Sequence, residues 1–402
     1  MAAPTHQPLA GMTVVDLSQI YNGPYATFLL AQAGADVIKV EPKGGEHLRR
    51  RGVVGGAALP FAMLNGNKKS VALDLKTESG KALLREMVKR ADVLVENFAP
   101  GVLERLGFGL TAMHELNPRL VYASSSGYGT SGPYRDYPAM DLTVQAMSGI
   151  MSITGFPDKP PVKAGPALCD FFAGVHLYGG IVTALVDRER TGKGRAVEVA
   201  MLDSVYASLS SSLGLCYGLG WEDAQRTGNR HGGLAEAPYN VYPTKDGHIA
   251  IICVGEVHFK SLLKAMQRED LSGDARFQSL KTRVDNIDFV DELVGNFTRQ
   301  YTKQDLFALL MQHRVPCAPV RTLIEVVNDP HLHERGMLQW IDHPEFGRIA
   351  VQGSPMRYDG APQLPHQPSA RLGAHTTDVL GGWLGLSADE IARLEAEGAI
   401  AC

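Results

Sequence analysis

Short apolar runs alternate with helical stretches through the first part of the chain. Positions 12–17 and 36–41 are apolar runs, and 25–33 between them carries helical spacing just after Gly23 and Pro24. This reads as a β-α-β unit, short enough for a parallel sheet. The pattern continues with a strand at 70–75, an amphipathic helix at 78–90, and strands at 92–97 and 119–124. Such a sheet holds ligands at the carboxyl ends of its strands. Asp170 opens a long helical pattern that stops at TGKG, 191–194, a turn signal. A strand at 195–200 and a small-residue helix at 203–218 follow.

The texture then changes. Residues 220–234 are polar and glycine-rich, and a linker is expected there. Positions 239–243 and 248–254 flank TKDG and predict a hairpin, with helical patterns from 257 to about 313. After Asp329 come short strands and a closing helix at 388–397. The expected class is α/β, with a large Rossmann-like domain on a mostly parallel sheet and a smaller α+β domain. Residues 1–219 begin the large domain, 235–328 form the small one, and 329–402 return to the large one.

Composition narrows the function classes. The chain has 402 residues, 45% apolar and 20% charged, with a net charge of −4. No cationic field argues for a nucleic-acid partner. Five cysteines are scattered, with no C-x-x-C pair, so neither a disulfide framework nor a zinc site is expected. A reducing cytoplasm fits that usage. No signal peptide is visible, and no apolar stretch looks long enough to span a bilayer.

One motif misleads. Gly127, Gly129 and Gly132 match G-x-G-x-x-G after a strand, but Pro133 follows where a dinucleotide site needs a helix. A tight loop is the expectation, and nicotinamide or flavin binding is set aside. There is no G-x-S-x-G, H-E-x-x-H or P-loop. His331 and His333 sit in a polar turn and are expected at the surface.

Asp170 is the sharpest single residue. It is a carboxylate in the apolar stretch AGPALCDFFAG, 164–174, where a helix should begin. It could be an ordinary N-cap. It could equally be a nucleophile at a helix N-terminus, whose N–H groups stabilise anions. Sequence physics leaves both open.

The whole chain resembles the class III CoA-transferases, the family of formyl-CoA:oxalate and carnitine CoA-transferases. The landmarks are VVDL at 14–17, GADVIKVEP at 34–42, NKKSVALDLK at 67–76 and DVLVENFAPG at 92–101. They continue with GYG at 127–129, QAMSG at 145–149, TGKG at 191–194 and TGNRH at 227–231.

The resemblance implies that Asp170 is the nucleophile, forming a mixed anhydride and then an aspartyl-CoA thioester. Coenzyme A is then a substrate, and no permanently bound cofactor or metal is expected. Ile20, Lys76, Asn97, Phe98 and Arg105 fall on the expected CoA path, and Lys43 stands beside Pro42, which replaces a basic family position. Lys76 and Arg105 could also be solvated surface. Asp141 matches an acidic position near the reacting centre, or could be a helix N-cap. Succinyl-CoA as donor and a small dicarboxylic acid or analogue as acceptor are expected: itaconate, mesaconate, glutarate or sulfinopropionate. Arg49 and Arg230, with Arg50 and Arg51 beside the first, are candidate cations for a second carboxylate. The small acid and acyl-CoA are the expected partners, with no nucleic acid or membrane, in an interlocked homodimer.

Two other readings stand beside this one. The family's 2-methylacyl-CoA racemases use a histidine where Met140 stands here, and a thioether exchanges no proton. A non-catalytic CoA-binding protein would not need Asp170. No role is assigned to Cys169.

Overall fold

The alternation of short apolar runs and helices folds as a doubly wound sheet. The computed structural model describes residues 6–51, 58–220 and 222–402. In chain order the elements that build the sheet are β1 (Thr13–Asp16), α1 (Asn22–Gln32), β2 (Asp36–Glu41), β3 (Lys69–Leu73), α2 (Glu78–Arg90), β4 (Val93–Glu96), β5 (Val121–Ser126), α3 (Asp141–Met147), α4 (Leu168–Thr191) and β6 (Ala196–Ala200). Their order across the sheet is β3-β2-β1-β4-β5-β6, all parallel, and the last strand, Ile400–Ala401, adds antiparallel to β3. Strand order reverses at β1, which pairs with β2 on one side and β4 on the other. That is the topological switch point where this architecture opens a crevice.

The central strands lack polar alternation because helices cover both faces. All of β4 is buried, and the core on one face gathers Val15, Ile38, Leu84, Leu94 and Phe108, that on the other Val14, Leu30, Val93, Leu177 and Ile181. Helix α2 matches its sequence pattern. Thr77 caps it by accepting from the Gly80 N–H, and Lys89 and Arg90 close it beside the negative end of its dipole. Helix α4 turns Ala173, Leu177, Ile181 and Leu185 inward and stops at Gly192, whose φ of +71° favours glycine. At 24 residues α4 is long and apolar enough to cross a bilayer by length and composition, against the expectation that no stretch is. Here it packs on α1, β5 and β6 as a core helix.

The chain divides into two compact units. The first takes Met1–Val144, Ala167–Val205 and Val327–Cys402, and the second Gln145–Pro166 and Tyr206–Val326. The boundary thus lies at 205, not near 220, and 145–166 goes with the second unit, because packing rather than composition defines it. Trp221, inside the expected linker, lies outside the described residues. The helix expected over 203–218 is broken into Met201–Val205, a 3-10 turn at Tyr206–Leu209, and Ser210–Gly218. A run of small residues carries no apolar stripe to hold one long helix.

The second unit holds the expected hairpin, β7 (Tyr239–Pro243) and β8 (His248–Ile252), extended by antiparallel β9 (Cys317–Pro319). Its helices close a core around Tyr242, Ile249, Phe259, Leu262, Val290 and Leu306. The returning segment 327–402 contributes a hairpin, Leu338–His343 with Gly347–Gln352, and the closing helix Ala388–Ala396, capped by Ser387 and Glu390.

Candidate active site

Asp170 stands in the first turn of α4 but does not cap it. The N-cap position is Ala167, which has no side chain to offer. The cap comes from elsewhere: Asp141, the first residue of α3, accepts through Oδ1 from the Cys169 N–H at 2.8 Å and the Asp170 N–H at 3.2 Å. One carboxylate satisfies the helix end, and the other stays available for chemistry.

The Asp170 side chain is 8% exposed and lines a cavity of about 300 Å³. Burial pushes its carboxyl up to about 7, the charge of Asp141 adds to the rise, and a hydrogen bond from the Asn22 N–H opposes it. Asn22 is the first residue of α1, so the carboxylate meets the positive end of a second helix. The two helices come this close because of Gly174. A Cβ there would lie 2.7 Å from the Asn22 carbonyl oxygen.

The loop that carries Asn22 is held in place by Asn97, at the end of β4. Asn97 Oδ1 accepts from the Gln19 N–H at 2.8 Å, and its Nδ2 donates to Gln19 O at 2.8 Å and Asn22 Oδ1 at 2.7 Å. Buried groups fix the same loop from beneath. Lys39 Nζ donates to Ser18 O at 2.7 Å, and Glu46 Oε2 accepts from the Ile20 N–H at 3.2 Å. Ile20 takes a φ of +68° there, which a branched residue adopts only when its surroundings impose it.

The cavity lies at the switch point of the sheet. Its wall takes Gln19, Ile20 and Asn22 after β1, Asn97 to Pro100 after β4, Ser125 to Tyr128 at the end of β5, and Arg135 with Tyr137 to Met140 ahead of α3. Ser125 Oγ is buried and makes no hydrogen bond among the described residues. A neighbouring cavity of about 180 Å³ shares Phe98 to Pro100, Ser125 and Ser126 and carries Glu96, Glu104 and Glu198. Burial pushes Glu96 up to about 7, and the Glu104 charge adds to that.

The structure brings together Ile20, Asn97, Phe98, Asp141 and Asp170. The side-chain amide of Asn97 is occupied by the 19–22 loop. Lys76 and Arg105 are exposed, and among the described residues neither side chain holds an ion pair. Three expected cations stand elsewhere. Lys43 donates to Gly398 O at 2.6 Å, beside Asp74. Arg49 is bound to buried Glu41 at 2.8 and 3.0 Å and to Ala370 O, stacked over the Phe61 ring. Arg230 is neutralised by Asp288 at 2.6 Å and Asp291 at 2.7 Å. An arginine already paired in this way is a poor carboxylate receptor. Arg50 and Arg51 are exposed and do not line the cavity.

Burial pushes the Cys169 thiol up to about 12, with the charges of Asp141 and Asp170 adding to the effect, so it stays protonated and packs. Asn22, Ser125 and Arg135 were not singled out from the sequence. Only the NGP start of α1 hinted at Asn22, as a helix N-terminus following the first strand. The G-x-G-x-x-G stretch is a loop, with no helix until Asp141.

The family model for CoA-transferase family III matches residues 9–376. The acetyl-CoA:oxalate CoA-transferase of Acetobacter aceti is 39% identical over 90% of this chain and 94% of its own. The succinyl-CoA–D-citramalate CoA-transferase of Chloroflexus aurantiacus is 35% identical over 97% of this chain and 98% of its own. Among solved structures, a CAIB/BAIF family protein from Brucella suis superposes with a TM-score of 0.82 at 33% identity, covering 94% of this chain and 99% of its own.

Proposed function

Because the chain belongs to CoA-transferase family III and is a CoA-transferase, we propose that it moves CoA from succinyl-CoA to a small dicarboxylic acid or analogue, with Asp170 as the covalent nucleophile. The observation that carries this reading is a buried carboxylate with no cation beside it among the described residues, facing a cavity at the switch point and a helix N–H.

The steps balance as bond exchanges. An Asp170 oxygen attacks the donor thioester carbonyl, the C–S bond breaks, and CoA leaves as thiolate. The thiolate attacks Asp170 Cγ and releases the donor acid as carboxylate, leaving an aspartyl-CoA thioester. The acceptor carboxylate attacks Cγ and expels the thiolate, giving a second anhydride. The thiolate then attacks the acceptor carbonyl, and Asp170 leaves as carboxylate. Each exchange trades one activated acyl bond for another, so the sequence needs no nucleotide hydrolysis.

The surroundings suit these steps. A carboxylate stripped of water and unpaired with a cation is a stronger nucleophile once ionised. The Asn22 N–H, at the start of α1, is placed for the negative charge that develops on the Asp170 carbonyl oxygen. The cavity wall takes apolar side chains from Phe98, Pro100, Ala139, Met140 and Met201, which suit an acyl chain. Met140 lines it where a racemase would present a proton-transferring histidine, so α-proton exchange has no base there.

The acceptors named for the two curated relatives, oxalate and D-citramalate, are dicarboxylic acids, and one of the donors is succinyl-CoA. Itaconate, mesaconate, glutarate and sulfinopropionate are the acceptors we favour. An interlocked homodimer goes with the reading and is checked by light scattering. The test of function is incubation with succinyl-CoA and a panel of such acids, following new CoA esters by mass spectrometry. A new ester that forms with the parent protein and not with Asp170→Ala supports both reaction and nucleophile. Equal transfer by Asp170→Ala rejects the covalent mechanism, and no transfer to any acid rejects the donor and acceptor classes.

A further inference from the structure

We infer that Arg135 binds the second, non-reacting carboxylate of the acid that reaches Asp170. This rests on the dicarboxylate reading above and names the residue that would enforce it. A diacid whose first carboxylate reacts at Asp170 brings another negative charge into a site that already holds Asp141 and Asp170. Two carboxylates already close together repel a third, and a cation in the wall would offset that repulsion.

Among the described residues lining the cavity, Arg135 is the one cation. Arg49 and Arg230 are engaged by Glu41 and by Asp288 with Asp291. The ion pair of Arg135 itself is weak: its Nε lies 3.3 Å from Oδ1 of adjacent Asp136, and that carboxylate is 79% exposed. Such a surface pair is easily exchanged. The terminal nitrogens make no hydrogen bond to described residues, which leaves the guanidinium fork free for a carboxylate in two-point geometry.

Arg135 also sits on a braced support. Its loop starts at Gly127 and returns at Ala139, whose Cβ would be 2.0 Å from a Cβ on Gly127, so the loop closes on itself. Tyr134 and Tyr137 flank Arg135 with ring centres 5.2 Å apart, and Tyr128 packs edge-on against both. The loop then runs through Met140 to Asp141, the residue that caps the helix of Asp170. The unpartnered Ser125 hydroxyl in the same wall offers a further donor to an oxygen-bearing ligand.

The same chemistry, an anion on a guanidinium, could instead be a CoA phosphate, so the experiment separates the two. Calorimetry measures binding of glutarate, butyrate and acetyl-CoA to the parent protein, Arg135→Gln and Arg135→Lys, each verified as folded by circular dichroism. The expected result is glutarate binding weakened roughly tenfold to a hundredfold by Arg135→Gln, with partial recovery in Arg135→Lys. Butyrate and acetyl-CoA should be unchanged. Loss of acetyl-CoA binding with glutarate intact assigns Arg135 to the phosphates and overturns the inference. Equal weakening of glutarate and butyrate, or a parent protein that binds the two acids alike, overturns it as well. Transfer assays stay separate. A parent enzyme that passes CoA to no acid while Arg135→Gln selectively loses glutarate would sink the proposed reaction and leave the Arg135 site standing.

Discussion

Two buried aspartates in the same unit are treated in opposite ways. Asp16, at the end of β1, is completely buried and compensated. Lys68 Nζ lies 3.1 Å from its Oδ2, Thr27 Oγ1 donates to the same oxygen at 2.7 Å, and the Ser18 N–H and hydroxyl donate to Oδ1. Burial alone would raise it, but the charges of Lys68 and Lys39 and the two hydroxyls outweigh that and hold it at about 2. Among the described residues Asp170 has no cation beside it, and its carboxyl is pushed up to about 7 by burial and by the neighbouring Asp141. Charge compensation at Asp16 makes a scaffold. Its absence at Asp170 leaves a reactive group whose ionised form is poorly solvated.

The largest expected effect is the removal of the uncompensated carboxylate. Asp170→Ala should cut turnover by at least about 10⁴-fold while leaving the fold intact, because the covalent route disappears. Rapid-quench mass spectrometry should lose the acyl-enzyme adduct. Retained turnover would end the contrast between the two sites.

The compensated site should respond in stability instead. Lys68→Met leaves Asp16 as a buried charge without its nearest cation and should cost about 3–5 kcal/mol in urea unfolding. A loss under about 1 kcal/mol would mean that Lys39 and the hydroxyls suffice.

The two aspartates should also differ in the sign of their pH dependence. The native pKa of Asp16 is depressed, so its contribution, about 2 kcal/mol, is present above pH 4 and is lost as pH falls through about 2. The native pKa of Asp170 is raised, so ionising it destabilises the fold as pH climbs from about 4 through about 7. Asp170→Asn should therefore stabilise the protein at pH 8, by an amount on the order of 4 kcal/mol, and much less at pH 5. The first catalytic step should quicken with pH until about 7 and then level off, as the carboxylate ionises. A Tm gain that is equal at pH 5 and pH 8 would contradict the raised pKa.

The smallest effect sharpens the boundary between scaffold and site. Asn97→Ala frees the loop that presents the Asn22 N–H. Turnover should fall about tenfold, with less change in KM for the acyl-CoA. The acid limb of the rate profile should move to higher pH, because a hydrogen bond that lowers the Asp170 pKa is weakened. A change confined to KM would make Asn97 a CoA contact instead.

Much of this was legible in the chain. Helix α2 and strand β2 run over the same residues as their patterns, because Thr77 caps the one and every residue after Asp36 is buried in the other. Asp170 stood out as a lone carboxylate in an apolar stretch. What could not be read was which side chain answers which. Asn97, Asn22 and Gln19 are brought together by the parallel pairing of β1 with β4, and that pairing leaves no local trace. Arg49 and Arg230 looked as available as any surface arginine, until the fold placed Glu41 and Asp291 against them.

Local order along the chain is enough to specify the strands, most helices, the family and Asp170 as the residue to test, because periodicity, caps and motifs act over a few residues. The raised pKa of Asp170, the helix cap supplied by Asp141, and the place of Arg135 as the cation in the cavity wall belong to the folded molecule. Burial and charge pairing are properties of distance in space, and the residues concerned are separated by tens of positions along the chain.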